Sequence, residues 1–289
     1  MKQVTLLFLL PVMAFGAGWV NPRSLEPDQT EVYLTVDGQP LELHIFYPDS
    51  VKPVEARPGI LFFHGGGFSK GNPGAFYYAC EYLASRGMVA ISAQYRLRDK
   101  DKGYTQQTCL KDAKSAMRYV YENAAQFAID PNRIAAAGGS AGGHLAAALA
   151  TSTLINNESD DATISTVPKA LVLFNPILGM TLNKFIDESI AMDFSPFHGA
   201  HAGIPPTLAM WGDEDKFMKV SQIEEYQQKL EDLGVSIEVE IYPGQKHSFF
   251  DNSQEWVVIT LTRVDQFLES VGLLEGAPTA ESWASETAR

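Results

Sequence analysis

An α/β fold with an eight-stranded, mostly parallel sheet and helices on both faces is predicted by three observations. Short apolar runs of strand type recur along the chain, helical patterns lie between most of them, and a serine among small residues, Gly138-Gly139-Ser140-Ala141-Gly142, joins one such run to the next helix. Strands that are apolar throughout are those buried on both faces, and helices between them are the usual connection of parallel strands.

Taken in order, Glu31 to Val36 and Leu41 to Tyr47 alternate and read as an antiparallel pair turning at Asp37-Gly38-Gln39-Pro40. Ile60 to Phe63, Met88 to Gln94, Arg133 to Ala137, Ala170 to Phe174, Thr207 to Trp211 and Ile237 to Tyr242 follow as short buried strands. Helical patterns cover Gly74 to Arg86, Gln106 to Phe127, Gly143 to Ser152, Val220 to Leu233 and Gln254 to Val271. Asn156 to Asp161 is a polar loop, and no internal repeat is present.

The composition is that of an ordinary globular chain: 289 residues, 45% hydrophobic and 20% charged, enough for a substantial single core. A formal net charge of −13 disfavours a nucleic-acid partner and an anionic membrane surface. Residues 1–18 carry one charge, Lys2, then an apolar stretch, then Ala14-Phe15-Gly16-Ala17, the pattern of a secretory signal peptide. The apolar stretch is short and broken by Pro11, so no stable membrane partner is expected, and the mature chain is placed outside the cytoplasm, secreted or periplasmic. Cys80 and Cys109 are the two cysteines; both fall in helical segments and are expected as buried free thiols rather than a bridge.

Gly-x-Ser-x-Gly alone is a weak signal, because a chain of this length contains one by chance about one time in ten. Here Arg133 to Ala137 reads as the strand before it and His144 to Ala150 as the small-residue helix after it, the setting in which a serine hydroxyl is exposed as a nucleophile. His64-Gly65-Gly66-Gly67 follows another strand, and three glycines leave backbone amides uncovered. Gly66 and Gly67, with Ala141 after the serine, are the candidate oxyanion donors, while His64 is expected to brace the loop. A base and its orienting acid should follow on loops after late strands. Trp211-Gly212-Asp213-Glu214-Asp215 offers three acids, and His247 lies directly after the last strand. His198 and His201 lack a third ligand and read as loop residues; no metal site is expected.

The chain resembles the hormone-sensitive-lipase-like bacterial esterases of the α/β-hydrolase fold, in particular their secreted, feruloyl-esterase-like and acetylesterase-like branch. The resemblance runs through His64 to Phe68, Leu83 to Val89, Tyr95 to Leu97, Asp112 to Ala116, Asp130 to Ile134, Gly139 to Leu145, Ser195-Pro196, Gly212 to Asp215, and His247. The catalytic domain is placed at residues 19–272 and the C-terminal tail at 273–289, of which Gly276 to Arg289 reads as a loose segment; the resemblance selects Asp215 over Asp213 as the acid of a Ser140–Asp215–His247 triad.

The activity so implied is hydrolysis of carboxylic esters through an acyl-enzyme, with no cofactor. Arylformamidase-like or peptidase-like amide hydrolysis is the alternative chemistry for the same triad, and an inactive binding protein would require a broken one. Phe68 is the expected substrate contact, with Met180, Phe185 and Phe249 as further lining candidates. Little of the chain is left over for a lid, which points to small-molecule or oligosaccharide esters of short-acyl or hydroxycinnamoyl groups.

Overall fold

The computed structural model describes residues 25–179 and 188–287, so the expected signal peptide, Met180 and Phe185 lie outside the described residues. The eight strands are β1 (Gln29–Val36), β2 (Gln39–Phe46), β3 (Arg57–Phe63), β4 (Val89–Ala93), β5 (Ile129–Gly139), β6 (Ala170–Phe174), β7 (Thr207–Gly212) and β8 (Ile237–Tyr242). They form one sheet in the order β1-β2-β4-β3-β5-β6-β7-β8. The β1 and β2 pairings are antiparallel, and every pairing from β4 to β8 is parallel. The helices are α1 (Tyr77–Ser85), α2 (Gln106–Glu122), α3 (Ala141–Thr151), α4 (Glu188–Phe194), α5 (Val220–Asp232), α6 (Gln254–Ser270) and α7 (Ala280–Thr287).

Because successive strand residues point to opposite faces, each central strand feeds two cores. Leu61 and Phe63 pack with Leu110, Met117, Leu145 and Ile223 of α2, α3 and α5. Ile60 and Phe62 pack with Tyr82, Leu83, Val257 and Leu261 of α1 and α6. Cys109 lies in the first core and Cys80 in the second, so the two buried thiols are free and separated by the sheet. α2 stops at Glu122, short of the expected Phe127. There the Asn123 side chain donates to the Tyr119 carbonyl, and left-handed Ala128 (φ 56°) turns the chain into β5.

The expectation of a loose C-terminal tail is corrected. Trp283 of α7 packs in the second core, its ring 5.4 Å from that of Tyr82. Buried Asp265 of α6 accepts from the Tyr82 hydroxyl and from Arg86 Nε at 2.6 Å. The same guanidinium donates to the carbonyls of Glu275 (2.9 Å) and Gly276 (3.0 Å), so one ion pair fastens α1, α6 and the start of the terminal segment together. Composition, polar and rich in small residues, hides that Leu273 and Leu274 are buried in this core as well as Trp283. Trp283→Ala is expected to cost about 3 kcal/mol of unfolding free energy, measured by urea denaturation; an unchanged midpoint would mean that α7 is dispensable.

Candidate active site

The chain turns from β5 into α3 at Ser140, which has φ 54° and ψ −115°. Only small neighbours permit this. A Cβ on Gly142 would lie 1.9 Å from the Phe63 carbonyl oxygen, and one on Gly138 would lie 2.4 Å from the Gly142 oxygen. The serine amide donates to the Phe174 carbonyl at 2.8 Å, tying the turn to β6. Ala141 is the first residue of α3, and its amide belongs to the unpaired first turn of a helix, where the backbone dipole favours negative charge.

His247 Nε2 is 2.8 Å from Ser140 Oγ, and His247 Nδ1 is 2.6 Å from Asp215 Oδ2. The second carboxylate oxygen accepts the Phe217 amide at 2.8 Å, which fixes the rotamer of the acid. Asp213 is not an equivalent choice: its carboxylate accepts the Gly244 amide at 2.7 Å and so holds the turn that carries His247. The two loops touch so closely that a Cβ on Gly212 would lie 2.0 Å from the Gln245 carbonyl oxygen.

The glycine loop lies against the nucleophile, with a Cβ built on Gly65 falling 3.4 Å from that of Ser140. Gly66 has φ +112°, and a side chain there would meet the Lys70 carbonyl oxygen at 2.0 Å; its own carbonyl accepts the amides of Ser69 and Lys70. In the turns and loops of the described residues, the amides of Gly66, Gly67 and Ala141 donate to no backbone carbonyl. His64 braces the loop as expected: its Nδ1 is 2.8 Å from the Gly65 carbonyl, and its ring stacks on Tyr95 at 4.2 Å. Burial pulls its pKa down to about 4, so it is neutral at pH 7.

Two expected lining residues are corrected. The Phe68 ring is buried against His144 and Phe194, and Phe249 is buried against Tyr242 and Trp256; both serve packing because the loops that carry them fold inward. His144 spans the Ile177 and Phe194 carbonyls at 2.6 and 2.8 Å, and complete burial lowers its pKa to about 4 against the pull of those two acceptors. His198 bonds to Ser195 and His201 to the Ala150 carbonyl, as loop residues do. Among the described residues no three His, Cys, Asp or Glu side chains are grouped to hold a metal ion.

Two site residues were missed in the sequence. Buried Asn175, at the carboxyl end of β6 with φ 35°, places its amide nitrogen 3.2–3.3 Å from both ring nitrogens of His247 and accepts the Ser248 amide at 3.3 Å. A polar residue directly after a central strand was the available signal. The other is Phe217, whose ring meets His247 edge-on at 4.5 Å.

The family model BD-FAE matches residues 43–230. The chain belongs to this family of hormone-sensitive-lipase-like α/β-hydrolases. Among solved structures it is similar to Thermogutta terrifontis esterase 2. The form phosphorylated by paraoxon is 36% identical, with 86% of this chain and 95% of that one covered and a TM-score of 0.80. The propionate-bound form is 33% identical, with 89% and 99% covered and a TM-score of 0.81. It is also similar to the ethyl acetate hydrolase of Pseudomonas putida, 26% identical over 279 residues with 84% of each chain covered. Esterase LipI of Mycobacterium tuberculosis is 33% identical over 133 residues, 45% of this chain, and the match spans only 41% of LipI.

Asp215→Asn is expected to lower turnover of an activated ester by about 10⁴, and Asp213→Asn far less, because only Asp215 reaches the imidazole; equal losses in steady-state assays would contradict the geometry. The buried histidines set an acid limit on stability. Unfolded imidazoles take up protons near pH 6.5, whereas folded His64 and His144 resist until about pH 4, so the unfolded state binds more protons across that window. Stability is therefore expected to fall as pH drops from 6.5 towards 4, with no slope from these groups above about pH 7. The thermal midpoint measured over that range checks it, and His64→Gln should flatten part of the slope.

Proposed function

We propose that the chain is an exported serine carboxylesterase that removes short-acyl or hydroxycinnamoyl groups from saccharides. The observation that carries the chemistry is the unbroken relay of 2.6 and 2.8 Å from Asp215 through His247 to a serine held at the elbow. In this mechanism His247 Nε2 takes the Ser140 proton as Oγ attacks the ester carbonyl. The amides of Gly66, Gly67 and Ala141 stabilise the oxyanion, and Asp215 holds the Nδ1 proton and stabilises the imidazolium. His247 then gives the proton to the leaving alcohol. Water, deprotonated by the same imidazole, releases the acid from the acyl-enzyme.

Support for a short acyl group comes from the relatives: one is named an ethyl acetate hydrolase, and esterase 2 has been solved with propionate and with butyrate bound. Support for a saccharide alcohol comes from the signal-peptide pattern and from the little chain available as a lid. Long acyl chains need apolar wall to gain their roughly 0.8 kcal/mol per buried CH₂. A panel of p-nitrophenyl esters is therefore expected to show kcat/KM falling about tenfold or more from butyryl to dodecanoyl. Acetate or ferulate should be released from substituted xylo-oligosaccharides. Preference for dodecanoyl esters, or activation by emulsified triglyceride, would overturn the substrate assignment.

A further inference from the structure

Phe217 stands apart from the other aromatic side chains around the triad. Phe68, Phe76, Phe249 and Phe250 are at most 5% exposed, whereas Phe217 is 52% exposed, the one aromatic among the exposed large apolar side chains of the described residues. It is not loosely placed. Its amide is bonded to Asp215 Oδ1, the next residue, Met218, is buried, and its ring touches the imidazole of His247 edge-on at 4.5 Å. The Lys216 ammonium lies 5.1 Å from the centre of the same ring.

The position of the ring decides which part of an ester it can meet. His247 Nε2 must come within about 3 Å of the leaving oxygen to protonate it, so the alcohol side of the substrate lies beside the imidazole. The carbonyl oxygen faces instead the glycine loop, where a Cβ on Gly65 would fall 3.4 Å from that of Ser140. A half-exposed aromatic face next to the imidazole, on a backbone already fixed by the catalytic acid, is a preformed platform for whatever is attached to that oxygen.

We propose that Phe217 is the alcohol subsite: a platform for esters whose alcohol presents a flat ring face, the C–H face of a pyranose or the π face of an aryl group. The Lys216 ammonium, which lies over the ring, is placed to donate to ring hydroxyls of the bound alcohol. This deepens the esterase reading and rests on it.

The test compares wild type with Phe217→Ala, Phe217→Leu and Phe217→Trp on three acetyl esters: ethyl acetate, phenyl acetate and a methyl xylopyranoside monoacetate. The quantity read is kcat/KM for each ring ester divided by that for ethyl acetate, since kcat/KM covers acylation, while the alcohol is still attached. The ratio is expected to fall about 3- to 10-fold in the Ala and Leu variants and to be retained with Trp. Whichever ring ester shows the fall identifies the alcohol class. A ratio that stays constant, whether all three esters slow together or none does, would overturn the subsite; in the former case Phe217 merely positions His247. Separately, wild-type hydrolysis of none of the three esters, or hydrolysis that survives Ser140→Ala, would overturn the esterase reading and the subsite with it.

Discussion

The contact on which the site depends is the one between the first turn of α3 and the ends of β3 and β5. It exists only because Gly138 and Gly142 have no side chains. With Cβ positions 2.4 Å (Gly138) and 1.9 Å (Gly142) from carbonyl oxygens, any larger residue would force α3 off the sheet. That approach puts Ser140 at the carboxyl edge of the sheet with its hydroxyl towards His247 and the α3 amides behind it. It also brings Gly65 against the serine, so nucleophile and glycine loop are placed by one packing event. The strain at Ser140, whose φ of 54° is unusual for any residue with a side chain, is held by bonds from both sides of the turn, at the Phe174 carbonyl and at the His144 amide.

Buried carboxylates organise the surroundings. Asp193 of α4 accepts from the Ser152 hydroxyl and from the amides of Thr153, Leu154 and Ile155, which bonds the C-terminal end of α3 to α4. Burial would raise its pKa, and those hydrogen bonds outweigh burial and lower it. Asp112 fastens α2 to the chain after β4, accepting from Arg96 in a two-pronged pair with Nε at 2.8 Å and Nη2 at 2.5 Å. Asp265 locks α1, α6 and the terminal segment. A chain with thirteen excess negative charges thus spends several of its acids inside, each with donors, rather than leaving them all to repel one another at the surface.

Most of the sheet was legible because its strands are apolar runs with a single meaning: Ile60 to Phe63 or Ala170 to Phe174 can be buried only on both faces, which demands helices above and below. The triad was legible because its residues sit at fixed places relative to those strands, and position singled out His247 from six histidines. The choice between Asp213 and Asp215 was not settled by the residues themselves, since both are acids in one loop; it is a question of which carboxylate reaches the imidazole and which the Gly244 amide. Phe68 and Phe249 misled because apolar residues in site loops can turn either way, and here they complete the cores. Asn175 and α7 were hidden for a common reason: a contact across 72 residues, or a single tryptophan docking a polar helix, leaves no periodic trace.

In the proposed mechanism Ser140 is the one nucleophile activated by this relay. The direct measurement is intact-protein mass spectrometry with peptide mapping after treatment with paraoxon, the organophosphate that phosphorylates esterase 2 of Thermogutta terrifontis. The relay predicts one diethylphosphoryl group per chain, located on Ser140, with esterase activity lost in proportion to labelling and no label on Ser140→Ala. Labelling at another residue, or full activity in a chain labelled on Ser140, would contradict it.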